Sequence, residues 1–298
     1  NKIKHKIKSL IDNDEKICFY SYWFYDIALA SCFLEQYLKQ RNITLVSRAH
    51  GYDLYEYRNK LNYLPLRETI LSKLDRIYCC SKNGQIYLKE KYPIYQEKIA
   101  FSYLGTKDYG VQSYSNCNLI VSCSNLISLK RIDLIIDCLY ILKSENIDFM
   151  WYHIGDGPLY EKLYKKANSL LGKNQFQFLG YLENDKVIDF YRNNNVKLFI
   201  NVSSSEGLPV SIMEAISFGI PAVATNVGGT KEIVINDITG ELISPNSSPN
   251  ELSNAIKKIL LMNKNDYNEL RLKTRFFWES NFSTDNYIKF MNDIKLIK

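Results

Sequence analysis

The sequence predicts an α/β protein with two parallel sheets, each covered by helices. Three observations carry this. Short, wholly apolar runs alternate with longer segments of helical periodicity, the pattern of strands buried on both faces. The alternation stops in a polar stretch at 105–118 and then restarts, which marks two domains. Glycine, serine and aspartate cluster directly after the apolar runs, as expected where strands of a parallel sheet deliver the chain to its loops.

The elements follow in order. Ile3, Ile7, Leu10 and Ile11 lie at helical spacing among lysines, predicting a basic amphipathic helix over 1–16, packed on its own domain or lying on a membrane surface. Residues 17–20 read as a strand, 27–38 as a helix, and 44–46 as a strand that delivers the chain to Ser47, Arg48, Ala49, His50 and Gly51. Residues 64–74 read as a helix, and 77–80 as a fully apolar strand closed by Ser81, a suitable N-cap. A strand follows at 98–103. Beyond the polar stretch come a strand at 119–123, a helix at 132–142, and a strand at 149–154 ending at Gly155-Asp156-Gly157-Pro158. A helix through Leu171, a strand at 176–179 ending at Gly180, and a helix at 186–193 come next. The last elements are a strand at 196–201, a helix at 209–218 and strands at 222–225 and 240–243. Two such units give two facing Rossmann-like domains, with chemistry expected in the loops that follow strands.

Composition narrows the function. Hydrophobic residues make up 46% and charged residues 23% of the 298 residues, values of a chain with buried cores rather than a disordered one. There is no apolar run of about 18 residues that would read as a membrane span. The chain opens with Asn1 and a lysine-broken segment that is not a signal peptide, and it is expected to begin inside a longer protein. A net charge of +6 is mild. It fits an anionic small ligand or an anionic membrane surface and does not demand nucleic acid. Seven cysteines, with no C-x-x-C pair, read as reduced residues of a cytoplasmic protein. Three histidines make a His-rich metal site unexpected.

The informative stretch runs from Asn201 to Ala215, after a strand and into a helix. Gly207 allows close approach of a ligand to the backbone. Pro209 fits a helix start, where its missing N–H removes nothing. The unpaired N–H groups and the helix dipole there suit a diphosphate. Glu206 in the loop and Glu214 in the helix add paired carboxylates, strong acceptors for sugar hydroxyls.

Glu206, seven residues, then Glu214, within Glu206-Gly207-Leu208-Pro209-Val210-Ser211-Ile212-Met213-Glu214-Ala215, resembles the E-x7-E signature of glycosyltransferase family 4, the group 1 enzymes of the retaining GT-B class. Pro221 to Gly229 resembles the same family, and the resemblance extends from about Leu119 to Gly240. It implies a GT-B fold: 1–110 a partial acceptor-side domain, the first strands missing; 111–275 a nucleotide-sugar donor-binding domain; 276–298 a helix returning to the first domain, with Trp278, Phe282 and Tyr287 as anchors. It implies transfer of a sugar from a nucleoside diphosphate sugar to an acceptor hydroxyl, with retention and without a metal or other cofactor.

The resemblance also implies roles. Glu206 would hold the donor sugar and stabilise charge at the reacting carbon. Glu214 would bind the ribose. The N–H groups of Gly207, Leu208 and Val210 would meet phosphate or sugar oxygens, and Leu179, Gly180 and Tyr181 would frame the base. Lys130, with Arg131 beside it, would neutralise the diphosphate, and Gly155 would leave room for the donor. His50 would face the donor sugar, although one His after a strand is also an ordinary structural residue. Asp53 would cap the next helix or position the acceptor. Asn125 stands where many relatives place an arginine, which weakens the cationic clamp. Expected partners are a nucleotide sugar and a glycan or lipid-linked acceptor, with peripheral contact at the inner face of the cell membrane. A catalytically inactive GT-B partner subunit and a sugar-nucleotide epimerase are the alternatives.

Overall fold

The computed structural model describes residues 16–38, 42–112 and 117–297. The amphipathic helix expected over 1–16 lies, apart from its last residue, outside the described residues. Two compact units form: one from the residues up to Leu104 together with those from Asp285 onward, the other from Gly105–Thr284.

In the first unit, β1 (Ile17–Ser21), β2 (Ile43–Ala49), β3 (Arg76–Cys79) and β4 (Ile99–Phe101) form a parallel sheet in that order. Helices α1 (Asp26–Leu38), α2 (Gly51–Leu54), α3 (Arg67–Lys73) and α4 (Lys82–Lys91) follow the strands. Leu45, Ala49, Leu71, Ile77 and Cys79 are buried together on one face. The Ser81 hydroxyl accepts from the Gly84 N–H at 3.0 Å, the expected cap of α4. The helix expected from residue 64 begins only at Arg67, because Leu66 adopts a left-handed conformation (φ 61°) after Pro65. On the other face, Val46 and Tyr78 pack on Phe290 and Ile294 of the last helix, α11 (Asp285–Lys295).

In the second unit, β5 (Leu119–Cys123), β6 (Met150–Ile154), β7 (Phe176–Phe178), β8 (Val196–Asn201), β9 (Ala222–Thr225) and β10 (Gly240–Ile243) form a parallel sheet ordered β10-β9-β8-β5-β6-β7. Its helices are α5 (Ile132–Ser144), α6 (Tyr160–Leu170), α7 (Asn184–Asn193), α8 (Val210–Ser217), α9 (Pro249–Leu260) and α10 (Lys264–Asn281). Trp151, Leu198, Val223 and Ile256 share one core. Each such side chain contributes about 2 kcal/mol by leaving water.

The unit boundaries differ from those expected. Residues 105–110 belong with the second unit, where α10 and the residue after it hold the chain: Thr106 N–H donates to Phe282 O at 2.9 Å, Trp278 Nε1 to Thr106 Oγ1 at 2.8 Å, and Arg275 Nη2 pairs with Asp108 Oδ2 at 2.5 Å. Residues 276–281 complete α10, so Trp278 and Phe282 are buried within the second unit. Of the helices beyond 275, only α11 packs on the first sheet. Its anchors are Phe290 and Ile294; Tyr287 is exposed.

Candidate functional site

In the second sheet the chain runs from β5 through β6 to β7 at one edge, then returns to β8 beside β5 and proceeds to β10 at the other edge. The loops leaving β5 and β8 therefore turn opposite ways, and a reversal of this kind opens a ligand crevice beyond the carboxyl ends of the strands. The loop after β5 carries Asn125, Lys130 and Arg131; the loop after β8 carries Ser203 to Pro209. A hydrogen bond from Ser204 N–H to Leu129 O, 2.9 Å, ties the two.

Lys130 Nζ lies 2.6 Å from Glu206 Oε1. The same oxygen accepts from Asn201 Nδ2 at 3.2 Å. Asn201 closes β8, and its Oδ1 accepts from Ser203 N–H at 3.1 Å, so one side chain shapes the loop and holds its acid. Glu206 is 7% exposed. The hydroxyls of Ser203 and Ser205 are buried and have no hydrogen-bond partner among the described residues. Helix α8 starts at Val210, with Pro209 as its N-cap residue, and the first-turn N–H groups have no intrahelical acceptor. Leu208 is buried and Val210 exposed.

Glu214 points to a different loop. Its Oε1 accepts from Asn184 Nδ2 at 2.7 Å, at the start of α7. Burial raises the Glu214 carboxyl above its ordinary value, and the Asn184 hydrogen bond opposes that rise. Cys123, at the end of β5, is pushed up to about 12 by burial and by the Glu214 charge. The two acids thus serve separate neighbours. Glu206 meets the loop after β5, and Glu214 meets the segment that follows Leu179, Gly180 and Tyr181. Gly180 (φ 71°) has open space around its Cα, and Tyr181 is exposed.

Two expected residues, and one glycine of the second matching stretch, have roles set by the protein's own backbone. Arg131 points away from Lys130: its left-handed backbone (φ 49°) directs Nε to Val202 O at 2.6 Å and Nη1 to Pro245 O at 2.7 Å. Gly155 (φ 135°) abuts Ser124, whose carbonyl oxygen would lie 1.9 Å from a Cβ. Its lack of a side chain is therefore required by the loop after β5. In the second matching stretch, Gly228 (φ 52°) would place a Cβ 1.9 Å from Glu206 O, and Gly229 N–H donates to Gly207 O at 2.8 Å. The turn after β9 is a mould for the Glu206–Gly207 backbone. Asn125 is exposed.

Beneath the loop after β5 lies a buried chain of hydrogen bonds. Trp151 Nε1 donates to Ser122 Oγ (2.9 Å), Ser122 Oγ meets His153 Nδ1 (2.8 Å), and His153 Nε2 meets Ser124 O (3.0 Å). The Ser124 carbonyl, which can only accept, puts a proton on His153 Nε2. Burial pushes this imidazole down to about 4, which favours the neutral ring with Nδ1 accepting from the Ser122 hydroxyl. The periodicity gave no hint of this network, or of Asn184 and Asn201. Asn201 had a signal: a polar residue closing an apolar strand.

His50 belongs to the first unit. It follows β2, is buried, and among the described residues neither ring nitrogen has a hydrogen-bond partner. Burial, then the Arg48 charge, lowers its imidazole to about 4. Asp53 takes the capping role: its carboxylate accepts from His50 N–H at 2.5 Å and from Phe24 N–H at 2.6 Å.

Among the described residues no helix is long and apolar enough to cross a membrane. A family model for glycosyl transferases group 1 matches residues 110–275. The chain is 25% identical over 279 residues to an uncharacterised glycosyltransferase of Methanocaldococcus jannaschii, covering 91% of this chain and 74% of that protein. It is 28% identical over 194 residues to the O-antigen biosynthesis glycosyltransferase WbnH of Escherichia coli, covering 62% of this chain but only 52% of the relative. The structure matches Anabaena HepE, solved in complex with UDP, with a TM-score of 0.81 at 16% identity, over 99% of this chain and 82% of that one. The fold is GT-B. With its family model spanning more than half the sequence and the motif glycines and acids of that span assembled at one sheet reversal, the chain belongs to the glycosyl transferases of group 1.

Proposed function

We propose that this chain moves a sugar from a nucleoside diphosphate sugar to an acceptor hydroxyl, with retention at the anomeric carbon and without a metal ion, as a family 4 enzyme. The observation that carries this reading is the Lys130–Glu206 pair set beside the start of α8 at the sheet reversal. Donor binding opens that pair: Lys130 turns to the diphosphate, and Glu206 is left to accept from sugar hydroxyls. The amides of Gly207, Leu208 and Val210 take phosphate or sugar oxygens at the helix start. Glu214, steadied by Asn184, accepts from the ribose, while Leu179, Gly180 and Tyr181 border the base. Catalysis is then positioning and electrostatic stabilisation of the leaving diphosphate. That HepE was solved with UDP supports a nucleotide of this class. Relatives in O-antigen synthesis support a glycan or lipid-linked acceptor, handled at the cytoplasmic face of the membrane.

The test is nucleotide release from a panel of nucleotide sugars by the wild-type chain and by Glu206→Gln. Turnover abolished in the variant while nucleotide binding persists is expected. A complex with the nucleotide bound away from α8 would sink the reading. Asn125 and the commitment of Arg131 to two backbone carbonyls favour one rival, a nucleotide-sugar-binding partner subunit without activity. Binding of a donor with no turnover in any condition would establish that rival.

A further inference from the structure

Glu206 is held at two levels. Its backbone lies in the turn built by Gly228 and Gly229. Its side chain has two donors, Lys130 Nζ at 2.6 Å and Asn201 Nδ2 at 3.2 Å, and both reach the same oxygen, Oε1. Oε2 accepts from none of the described residues. The two donors are mounted differently. Lys130 carries its ammonium on a flexible four-carbon stem, with three N–H groups free to turn to another acceptor. Asn201 is the last residue of β8, is 8% exposed, and has its other amide atom engaged, because Oδ1 accepts from Ser203 N–H at 3.1 Å. Ser203 is tied in turn to the end of β9, where Thr225 Oγ1 donates to Ser203 O at 2.6 Å. Swinging the Asn201 amide off Glu206 would also leave the N–H of fully buried Ser203 without this acceptor, a costly state. Of the two donors to Oε1, only the lysine is free to leave.

We infer that Asn201 is a positioning residue of the donor site: it holds Glu206 by Oε1 once Lys130 has turned to the diphosphate, so that Oε2 is presented to the hydroxyls of the donor sugar. This rests on the reading that Glu206 accepts from that sugar. Asn201 then matters only for a ligand that carries the sugar. A bare nucleoside diphosphate draws on Lys130 and the helix start and makes no use of an oriented Glu206. The residue therefore sharpens the distinction between the donor and the nucleotide it leaves behind.

The test compares sugar-bearing and sugar-free probes on the full chain: UDP-glucose, UDP-galactose, UDP-N-acetylglucosamine and GDP-mannose against UDP and GDP. Affinities are measured by calorimetry, and kcat and KM by nucleotide release. Asn201→Leu keeps the volume and loses both hydrogen bonds. It is expected to bind the nucleotide sugar about tenfold more weakly, to bind the bare nucleotide within about twofold of wild type, and to lose about a hundredfold in kcat. Asn201→Asp keeps the acceptor for Ser203 N–H but opposes Glu206 with a like charge, and it is expected to lose as much kcat as Asn201→Leu. Thr225→Val loosens the Ser203 loop without touching Glu206, so it is expected to lower the unfolding midpoint and keep kcat. Wild-type kcat in Asn201→Asp, a kcat in Thr225→Val as low as in Asn201→Asp, or equal losses for sugar-bearing and bare nucleotides in Asn201→Leu overturns the inference. Glu206→Gln separates it from the donor reading. Loss of release in Glu206→Gln with wild-type release in both Asn201 variants overturns the role of Asn201 alone. Wild-type release by Glu206→Gln, or no binding of any probe, overturns both.

Discussion

Replacing Gly228 by alanine tests whether the turn after β9 moulds the loop that bears Glu206. The new Cβ would stand 1.9 Å from Glu206 O and 2.9 Å from its carbonyl carbon, so the two backbones must separate by about 1.1 Å to reach 3.0 Å. That motion also stretches the Gly229 N–H bond to Gly207 O. Two effects combine: a left-handed alanine costs about 1 kcal/mol, and a misplacement of about 1 Å at a reacting group costs on the order of a hundredfold in rate. Gly110→Ala separates them, because Gly110 has φ 88° and nothing within 4 Å of its would-be Cβ. Denaturant unfolding and donor-dependent nucleotide release are measured for both variants. Gly110→Ala is expected to lose only the strain of about 1 kcal/mol and to keep its rate. Gly228→Ala is expected to lose roughly 2–4 kcal/mol and most of its turnover. If the two variants unfold alike and turn over alike, the contact with the Glu206 carbonyl does not shape the site.

Arg131→Lys keeps the charge but cannot span Val202 O and Pro245 O; a loss of roughly 1–3 kcal/mol in denaturant midpoint analysis is expected, whereas a residue serving only as a charge would tolerate the change. Asn184→Asp sets a second carboxylate against Glu214, with Cys123 and Tyr191 as the other titratable groups beside it. The pair's shared pKa rises, so stability is present at low pH and falls by about 1 kcal/mol as pH rises through it, and Asn184→Ala, which removes only the hydrogen bond that opposes the rise of Glu214, should show a smaller slope of the same sign in the same titration. His153, neutral when folded down to about pH 4 and ordinarily titrating at 6.5, contributes stability that is complete above about 6.5 and lost as pH falls toward 4. That loss, about 3 kcal/mol at most, should disappear from the unfolding profile of His153→Gln.

The sheets were legible because strands buried on both faces are apolar nearly throughout: β5 and β9 each carry one hydroxyl residue, Ser122 and Thr225, in an otherwise apolar run. Helix α10 was not placed, although it spans 18 residues, because Tyr267, Leu270, Thr274 and Trp278 are spaced among charged residues that mask their stripe. The two acids were legible because their spacing is local, within one loop and one helix. Their partners were not: Lys130 stands 76 residues from Glu206, and Asn184 stands 30 from Glu214, so only the sheet order brings them together. The glycines were visible as glycines, but the reason for each lies in another segment's carbonyl, Ser124 for Gly155 and Glu206 for Gly228. Lys130 and Arg131 show most sharply what linear order hides. Two adjacent cations look interchangeable on paper, yet the left-handed turn at Arg131 sends one into the loop framework and leaves the other against the acid. Which cation meets Glu206 is therefore fixed by a backbone angle, and a substitution that relaxed Arg131 out of that angle would move the cation beside it as well.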